Sequence, residues 1–549
     1  MCRRVRRFED GGVTETIAGL SLSLPEFLAV LAAVALVTAR WLPPAARPRV
    51  TLAAGAVFVL SAIALAAVGI RWQVLPVLAG GAVALPFALS PLLRTLRRRP
   101  GRPAWRARWW LALPGSVACL GLIAAGPLAA WAFPVPVFPE PSGSFAVGTR
   151  VIQWTDANRP ETFTADPDDR RTVVVQLWYP AQQSPADAQR AQYLGRTEQE
   201  ARTVSEALAG SVGLPGFLVD GVPRARSHAV VDAPVADGGE RFPVVLFSPG
   251  AGGVRTQNTA WAEELASHGY VVAALDHPYD SAAVVLDDGR TLRATTASTG
   301  DREADAELAA GWTAVRAADL SFVLTQLEAL NRGALAAPPA GSAPPPGSAR
   351  SVGSAPPPGS APPPGSARSV GSAPPPGSAP SPGPAPSAGH DLLTGRLDTG
   401  RAAVTGHSLG GAAALQAARQ DPRFASVVDL DGYPHGPTSP ALHQPVLVLT
   451  QAITPSTDPR YQPRLTEALA SGTATSYRLT VPGAAHLTFM DGPLYLPPVP
   501  SIVGSLGRTG SPRVVATTTL AFLDATLRHA PGDLVGTLAA HGTLSVHRP

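Results

Sequence analysis

The stretch from Ala403 to Gly411, AVTGHSLGG, carries the residues best suited to nucleophilic chemistry. Its G-H-S-L-G segment matches the G-x-S-x-G pattern, in which a sharp turn between a strand and a helix exposes the serine hydroxyl. The flanking sequence fits this context, because a short apolar run precedes the pattern and an alanine-rich helical run follows it. Ser408 is therefore predicted to be a nucleophile. The alternative is an idle serine in a glycine-rich turn.

A nucleophilic serine needs a general base, and histidine is the usual one. His486 stands in VPGAAHLTFMD directly after the last predicted strand, where the G-x-S-x-G arrangement supplies its base. His435 and His443 lie near earlier strands and are interpreted as surface or pocket residues. His529 ends a predicted helix and is interpreted as structural. His486 is therefore the predicted base.

Three aspartates that follow the predicted nucleophile are candidates for the acid that orients the base. Asp431 ends a predicted strand in VVDLDGYP, so its carboxylate can emerge at the edge of the sheet where the serine lies. Asp429 is two residues earlier, inside the strand, and a structural role is predicted for it. Asp458 follows the next strand, where most folds of this type place the acid, but in the polar stretch TPSTDPRY. Asp431 is preferred, because a rigid strand end holds an imidazole better than a solvated turn.

Acyl transfer at a serine also requires two backbone amides directed at the oxygen of the tetrahedral intermediate. Leu409, directly after the predicted nucleophile, supplies one of them in the G-x-S-x-G arrangement. The second is predicted to come from Ala251, in the loop SPGAGG that follows the strand PVVLFS. Gly250 and Gly252 on either side of Ala251 allow the backbone to approach closely. These two amides are the predicted oxyanion hole.

Other kinds of site are not supported by the sequence. No metal-ligand set, phosphate-binding loop or dinucleotide fingerprint stands out, so neither a metal nor a cofactor is predicted. The segment DHPYD, from Asp276 to Asp280, has two carboxylates and a histidine after a strand end. It is interpreted as part of the pocket rim.

The elements that must position these residues alternate between strands and helices from residue 149 onward. Such alternation implies a mostly parallel sheet with helices on both faces. The predicted fold class is therefore α/β, and about eight strands with the nucleophile after the fifth give the α/β-hydrolase plan over residues 149–530. Residues 531–549 are predicted to be a C-terminal tail. The predicted strands cover 149–154, 171–179, 243–248, 270–275, 401–406, 426–431, 445–450 and 476–481.

Residues 1–135 are predicted to be an all-α transmembrane domain with three to four spans. The runs 50–70, 74–93 and 109–133 are long and uncharged enough to cross a bilayer. The run 17–39 is weaker, because Pro25 and Glu26 interrupt it. The arginine-rich loop between the last two spans is expected in the cytoplasm, which puts the strand-and-helix region on the extracytoplasmic side of the cell membrane. A proline-rich connector, residues 136–148, joins the two regions.

The overall composition limits the other partners. The chain has 549 residues, a net charge of +4 and 44 basic residues, all of them arginine. The arginines cluster between apolar runs, which argues against a nucleic-acid partner. Both cysteines, Cys2 and Cys119, lie in the N-terminal region, so no disulfide framework supports the rest of the chain.

Residues 334–389 repeat the unit GSAPPP, varied as GSARSV. Proline cannot donate to a sheet and little here can be buried, so a disordered or polyproline-like insertion is predicted. A neutral repeat expansion is the preferred interpretation, with a tether to the cell wall as the alternative.

Together these motifs resemble the plasma-type platelet-activating factor acetylhydrolases and their bacterial relatives. The matching stretches are FSPGAGGVRTQNTAWAEELASHGYVVAALDHPYDS, AVTGHSLGGAAALQ, VVDLDGYP and VPGAAHLTFMD, in the order of the family. The resemblance covers roughly 140–530 without the repeat. It implies serine carboxylester hydrolysis without a cofactor. It places Ser408, Asp431 and His486 at the triad positions and Ala251 and Leu409 at the oxyanion positions.

The predicted function is that of a membrane-anchored serine carboxylester hydrolase acting through an acyl-enzyme on short-chain phospholipid or other lipid esters. Its predicted partners are the ester substrate and the lipid bilayer. Pro249 stands where the family often has histidine, and the loop is smaller here, so the acyl preference stays open. The alternatives are a broad-specificity esterase or lipase, an acyltransferase that uses the same acyl-enzyme, and a non-catalytic membrane scaffold with a hydrolase-like domain.

Overall fold

The computed structural model describes residues 16–549 except 18–19, 44, 97–108, 296–298, 300, 335–391, 437 and 455–456. The predicted insertion lies outside the described residues apart from residue 334. Most of the arginine-rich loop between the last two predicted spans also lies outside them.

In its described part, the N-terminal region has four helices that are long and apolar enough to cross a membrane, judged by length and composition. The three stronger predicted runs fall largely on the second, third and fourth of these helices. A two-residue strand pair precedes the first helix. These elements are β1 (Thr16–Ile17), β2 (Leu20–Ser21), α1 (Leu24–Thr38), α2 (Arg47–Val68), α3 (Leu75–Leu96) and α4 (Trp109–Ala132).

The weaker run at 17–39 contains α1. Pro25 and Glu26 lie in the first turn of this helix, so they do not interrupt it. Pro25 lies in the first turn, where its missing N–H has no intrahelical partner to lose. The Glu26 carboxylate accepts the backbone N–H of Ser23 at 2.7 Å, which satisfies one free donor of the helix start. Glu26 also forms a buried ion pair with Arg71 at 3.4 Å.

The region from residue 146 onward is built on a sheet of eleven strands among the described residues. Their order is β15-β14-β13-β12-β11-β7-β8-β4-β3-β6-β5, and β9 and β10 form a separate hairpin. The strands are β3 (Ala146–Pro160), β4 (Arg170–Ala181), β5 (Arg190–Gln192), β6 (Arg226–Val231), β7 (Phe242–Ser248), β8 (Val271–Asp276), β9 (Ala283–Val285), β10 (Thr291–Arg293), β11 (Leu397–His407), β12 (Phe424–Leu430), β13 (Val446–Thr450), β14 (Ser476–Thr480) and β15 (Thr543–His547).

The central strands β8, β7, β11, β12, β13 and β14 run parallel, so their carboxyl ends meet at one edge of the sheet. β4 is antiparallel to both of its neighbours, β3 and β8. Taken in chain order, the eight predicted strands lie in the spatial order 1-2-4-3-5-6-7-8, which is that of an α/β hydrolase. The predicted α/β fold with a mostly parallel sheet is confirmed.

Helices cover both faces of this sheet, since strand residues alternate between two buried clusters. Val244 and Leu246 of β7 pack with α7 (Arg302–Asn331) and α8 (Leu409–Gln420) on one face. Val245 and Phe247 pack with α6 (Thr259–Ser267) and α12 (Gly510–Leu527) on the other. The helices are α5 (Glu198–Ser211), α6 (Thr259–Ser267), α7 (Arg302–Asn331), α8 (Leu409–Gln420), α9 (Tyr461–Ala470), α10 (Gly492–Tyr495), α11 (Pro500–Val503), α12 (Gly510–Leu527) and α13 (Leu534–Ala539).

Two parts of the predicted architecture differ from the structure. The sheet has eleven strands rather than about eight, because the short strands β5 and β6 extend one edge and β15 the other. Residues 531–549, predicted to be a tail, instead contain α13 and β15. β15 pairs antiparallel with β14, from Thr543 opposite Thr480 to His547 opposite Ser476, so the C-terminus is part of the sheet.

Candidate active site

Ser408 occupies the turn between β11 and α8. Its backbone has φ 55° and ψ −121°, a conformation that costs a non-glycine residue about 1–3 kcal/mol and is found mainly at functional sites. The turn requires glycine two residues before and two residues after Ser408. A Cβ built on Gly406 would lie 2.1 Å from the carbonyl oxygen of Gly410. A Cβ built on Gly410 would lie 2.0 Å from the carbonyl oxygen of Ser248.

The three residues predicted as a triad lie within hydrogen-bonding distance of one another. Ser408 Oγ is 3.0 Å from His486 Nε2, and His486 Nδ1 is 2.6 Å from Asp431 Oδ2. Asp431 follows β12 directly, and His486 begins a short 3₁₀ turn after β14. This arrangement lets the imidazole take the serine proton while the carboxylate holds its other nitrogen.

The carboxylate of Asp431 is fixed by three further hydrogen bonds. It accepts the backbone N–H and the side-chain amide of Gln451, each at 2.9 Å, and the Tyr461 hydroxyl at 2.9 Å. Burial and the charge of Asp431 raise the pKa of Tyr461 well above its usual value, so Tyr461 stays a donor. The Asp431 side chain is 0% exposed, whereas that of His486 is 40% exposed. The hydrogen-bonded series Ser408–His486–Asp431 is therefore closed to solvent at the carboxylate and open to solvent at its serine end.

Sequence reasoning did not identify Gln451 or Tyr461. Gln451 follows β13 directly, so its position after a strand end was a usable signal. Tyr461 begins α9, and no spacing rule in the sequence predicts that its hydroxyl lies beside Asp431.

His407, the residue before the nucleophile, was also missed. Its Nδ1 lies 2.9 Å from Gln257 Nε2, and its Nε2 lies 3.0 Å from the backbone carbonyl oxygen of His486. Burial and the nearby His486 lower the pKa of His407 to about 3, so its ring is neutral. Nδ1 then accepts from Gln257 and Nε2–H donates to the carbonyl, which fixes the backbone that carries the predicted base.

Asp429 lies beneath the turn rather than in the triad. Its Oδ1 accepts the backbone N–H of Gly432 at 2.8 Å, and a Cβ built on Gly411 would lie 1.9 Å from the same oxygen. Its Oδ2 has no hydrogen-bond partner among the described residues. Burial, with the charge of Asp431, raises the pKa of Asp429 well above its usual value despite the Gly432 bond. A neutral carboxyl at this place supports the turn that carries Asp431.

The other candidate residues lie elsewhere in the described part of the chain. Asp458 pairs with Arg460 at 2.9 Å and accepts the Tyr433 hydroxyl at 2.9 Å, with no bond to His486. The ring of His435 lies 4.4 Å from that of Tyr433, between centroids. His443 is bonded to Thr473 and His529 follows α12. None of these residues is hydrogen-bonded to Ser408.

The loop of residues 248–253, called the oxyanion loop below after its predicted role, lies beside Ser408. A Cβ built on Gly250 would lie 3.4 Å from Ser408 Cβ. The backbone N–H groups of Ala251 and Leu409 donate to no other group in the described residues. Leu409 begins α8, whose N-terminal dipole favours negative charge at this point. Both predicted amides are therefore available to an incoming oxygen.

The segment from Asp276 to Asp280 does not line the pocket rim, contrary to the interpretation of the sequence. Asp276 is buried and pairs with Arg255. His277 is 0% exposed and Asp280 is 4% exposed, and both lie under the oxyanion loop. Burial lowers the pKa of His277 to about 4, so this imidazole is neutral. Asp276 and Asp280 are each buried against an arginine, and the neutral His277 is bonded to Ser248 and Asp319.

No cluster of three or more histidine, cysteine, aspartate or glutamate side chains suited to a metal ion occurs in the part of the chain that the structure describes.

Comparison with known proteins identifies a family and relatives of this chain. The family model for platelet-activating factor acetylhydrolase, isoform II, matches residues 132–333 and 389–529. A probable 1-alkyl-2-acetylglycerophosphocholine esterase of Arthroderma benhamiae is 27% identical over 205 residues, which are 35% of this chain and 48% of the relative. A platelet-activating factor acetylhydrolase of Cavia porcellus is 49% identical over 45 residues, 8% of this chain and 10% of the relative. The aligned parts thus span about half of the fungal relative and a tenth of the mammalian one.

A solved structure gives wider coverage. The ferulic acid esterase of Streptomyces cinnamoneus superposes with a TM-score of 0.51 at 27% identity, over 74% of this chain and 98% of that one. It supports the α/β-hydrolase fold and an esterase-like arrangement of the sheet. The family model matches more than half of the chain, and its range includes Ser408, Asp431 and His486. On that match, this chain belongs to the platelet-activating factor acetylhydrolase, isoform II, family.

Proposed function

We propose that this protein is a serine carboxylester hydrolase that works through an acyl-enzyme. The observation that supports this most is the hydrogen-bonded series Ser408–His486–Asp431, open at the serine and closed at the carboxylate. A scaffold with a hydrolase-like domain would have no need of a strained serine turn and two unpaired amides beside it.

In the proposed reaction, Ser408 Oγ attacks the ester carbonyl carbon while its proton moves to His486 Nε2. Asp431 stabilises the imidazolium that forms. The tetrahedral oxygen accepts hydrogen bonds from the N–H groups of Ala251 and Leu409. His486 then gives its proton to the departing alcohol. His486 next takes a proton from a water molecule, whose oxygen attacks the acyl carbon, and returns that proton to Ser408 Oγ as the acyl–serine bond breaks and the acid leaves.

The proposed substrates are lipid esters with a short acyl chain. The names of the relatives in Arthroderma and Cavia support this class, as does the position of the catalytic region directly after α4. The end of α4 is bonded to this region, because Arg508 donates to the carbonyl oxygen of Trp131 at 2.6 Å. Gln73, before α3, donates to the carbonyl oxygen of Phe133 at 3.2 Å. A catalytic region held this close to apolar helices suits substrates that reside in a bilayer.

The test is a hydrolysis panel with the purified full chain in detergent. The substrates are phospholipids with an sn-2 acetyl or palmitoyl group, p-nitrophenyl esters of rising acyl length, and methyl ferulate. The proposal predicts fastest turnover of the short acyl groups on phospholipid. Preference for methyl ferulate would instead match the substrate named for the Streptomyces esterase. Hydrolysis that persists in Ser408→Ala would contradict the proposed mechanism.

We also propose that α1 to α4 anchor the protein in the cell membrane with the catalytic region outside. The support is the four apolar helices and the excess of arginine between α3 and α4, which is expected to stay in the cytoplasm. Protease added to intact cells should release the catalytic region, and full protection would contradict this orientation.

A further inference from the structure

Arg316, on α7, is a fully buried arginine that binds the oxyanion loop. Its Nη2 donates to the carbonyl oxygen of Gly250 at 2.9 Å, and its Nη1 donates to the carbonyl oxygen of Pro249. Nη1 also lies 3.3 Å from Ser248 Oγ. Among the described residues its only carboxylate partner is Asp280, which accepts the Nε–H at 2.5 Å. Most of its donors therefore hold the loop rather than a counter-charge.

These contacts fix the direction of the Ala251 amide together with a turn in the loop, in which the Gly250 carbonyl oxygen also accepts the Gly253 N–H at 2.9 Å. In a trans peptide, the carbonyl of one residue and the N–H of the next point in opposite directions. Since the Gly250 carbonyl points at Arg316, the Ala251 N–H points away from it, and that N–H has no acceptor in the described residues. The preceding peptide is held in the same way, because the Pro249 carbonyl meets Arg316 and the Gly250 N–H lies 3.3 Å from Gln257 Oε1.

Arg316 and the loop are held by polar residues from the segment that follows β8 and from α7. Asp280 bonds it on one side and accepts the Gly252 N–H at 3.4 Å. Ser248, at the start of the loop, is bonded to His277 at 2.9 Å, and His277 is bonded to Asp319 of α7 at 2.8 Å. The loop thus has a rigid base made of charged and polar groups that substrate does not reach.

We propose that Arg316 is a positioning residue for ester hydrolysis, which aims the Ala251 N–H at the oxygen of the tetrahedral intermediate. This inference rests on the proposed function, and it adds a residue that contacts neither substrate nor triad. Arginine suits this position because its planar guanidinium group contacts two carbonyl oxygens and a carboxylate at once. The single ammonium group of lysine does not do so.

The test compares Arg316→Lys and Arg316→Ala with the wild-type full chain. The readouts are kcat and KM for the best ester of the panel, and the inhibition constant of a short-chain alkyl trifluoromethyl ketone, which forms a tetrahedral oxyanion on the serine. Arg316→Ala should lower kcat by about 10²–10³-fold, as for loss of an oxyanion-hole donor, with KM little changed. The affinity for the ketone should fall by the same factor. For Arg316→Lys the two losses should again be equal, and smaller.

A matched control is Arg423→Ala. Arg423 also binds α7, through Ser321 O and Glu328, both at 3.1 Å, but it lies away from the oxyanion loop. This variant should keep the wild-type kcat and ketone affinity. Guanidinium ion at a non-denaturing concentration should restore part of the kcat of Arg316→Ala and should not change that of Ser408→Ala.

A folded Arg316→Lys or Arg316→Ala protein with wild-type kcat and ketone affinity would overturn the proposal. If neither variant folds, a crystal structure of the wild type with the ketone decides. The ketone oxygen must lie within hydrogen-bonding distance of Ala251 N while Arg316 contacts Gly250 O, and any other position for this oxygen overturns the proposal. A wild type that neither hydrolyses esters nor binds the ketone would instead contradict the proposed function itself.

Discussion

The described part of the chain contains two hydrogen-bonded series of serine, histidine and aspartate with nearly the same hydrogen-bond lengths. In the first, Ser408 to His486 is 3.0 Å and His486 to Asp431 is 2.6 Å. In the second, Ser248 to His277 is 2.9 Å and His277 to Asp319 is 2.8 Å. Both use Nε2 toward the serine and Nδ1 toward the aspartate, so neither residue type nor distance separates them.

Burial and backbone surroundings separate the two series. The His486 side chain is 40% exposed, whereas His277 and Ser248 are 0% exposed. Ser408 sits on a strained turn beside two free amides, whereas Ser248 lies at the end of a strand and is bonded to Arg316. The comparison teaches that a triad requires access for a carbonyl group and donors for its oxygen. Without them the same three residues serve as a support.

The largest expected effect comes from removing one serine hydroxyl at a time. Ser408→Ala should lower kcat by on the order of 10⁴-fold or more with little change in melting temperature, because an elbow serine makes few core contacts. Ser248→Ala should keep activity within about tenfold and lose about 1 kcal/mol of unfolding free energy, as for one lost hydrogen bond. Ester hydrolysis and thermal unfolding measure these changes. Equal losses of activity in the two variants would remove the proposed distinction.

The next comparison concerns the acid of the first series. Asp431→Asn should lower kcat by roughly 10⁴-fold, because an amide no longer holds the productive tautomer of His486. Asp458→Asn, a change of the same kind at the alternative acid, should leave kcat near the wild-type value. Turnover of one ester by both variants decides between them. A severe loss in Asp458→Asn with an active Asp431→Asn would reverse the assignment of the acid.

The second series is expected to contribute to stability. Asp319 forms a buried ion pair with Arg171 and a partly buried one with Arg159, each at 2.7 Å. Burial favours its neutral form, but the arginine charges and His277 hold the pKa of Asp319 well below its usual range. Asp319→Asn should therefore cost about 3–5 kcal/mol of unfolding free energy, as when one partner of a buried ion pair is removed. Urea unfolding followed by tryptophan fluorescence measures the loss.

The control for Asp319→Asn is Asp458→Asn, which breaks a partly exposed ion pair with Arg460. Exposed pairs contribute about 0–1 kcal/mol, so this variant should unfold near the wild-type urea concentration. Equal midpoints for the two variants would show that the second series does not stabilise the fold.

The smallest expected effect is a pH dependence at Asp429. Burial raises the pKa of this carboxyl in the folded protein, whereas its pKa in the unfolded chain is about 3.9. The unfolded state therefore loses its proton first, and the contribution of Asp429 to stability falls as the pH rises above that value. Asp429→Asn does not titrate, so its stability relative to wild type should improve from mildly acid to mildly alkaline pH. A difference in unfolding free energy that does not change with pH would contradict a neutral Asp429.

Much of this arrangement is readable from the sequence because it depends on strand ends. Ser408, Asp431 and His486 each follow a predicted strand, and parallel strands end at one edge of the sheet, so the motifs could be assigned to one place. β15 could not be predicted, because a short polar strand is defined by its partner β14 rather than by its own pattern. Asp319 and Arg316 lie inside a long helix, and only the packing of α7 on the sheet brings them to the oxyanion loop.

The central claim is that only the open series carries the nucleophile. The most direct measurement treats the full-length wild type with a fluorophosphonate probe, digests the protein and maps the adduct by mass spectrometry. The account predicts one adduct, on the peptide that contains Ser408, and no labelling of the Ser408→Ala variant. An adduct on Ser248, or labelling that persists in Ser408→Ala, would contradict it.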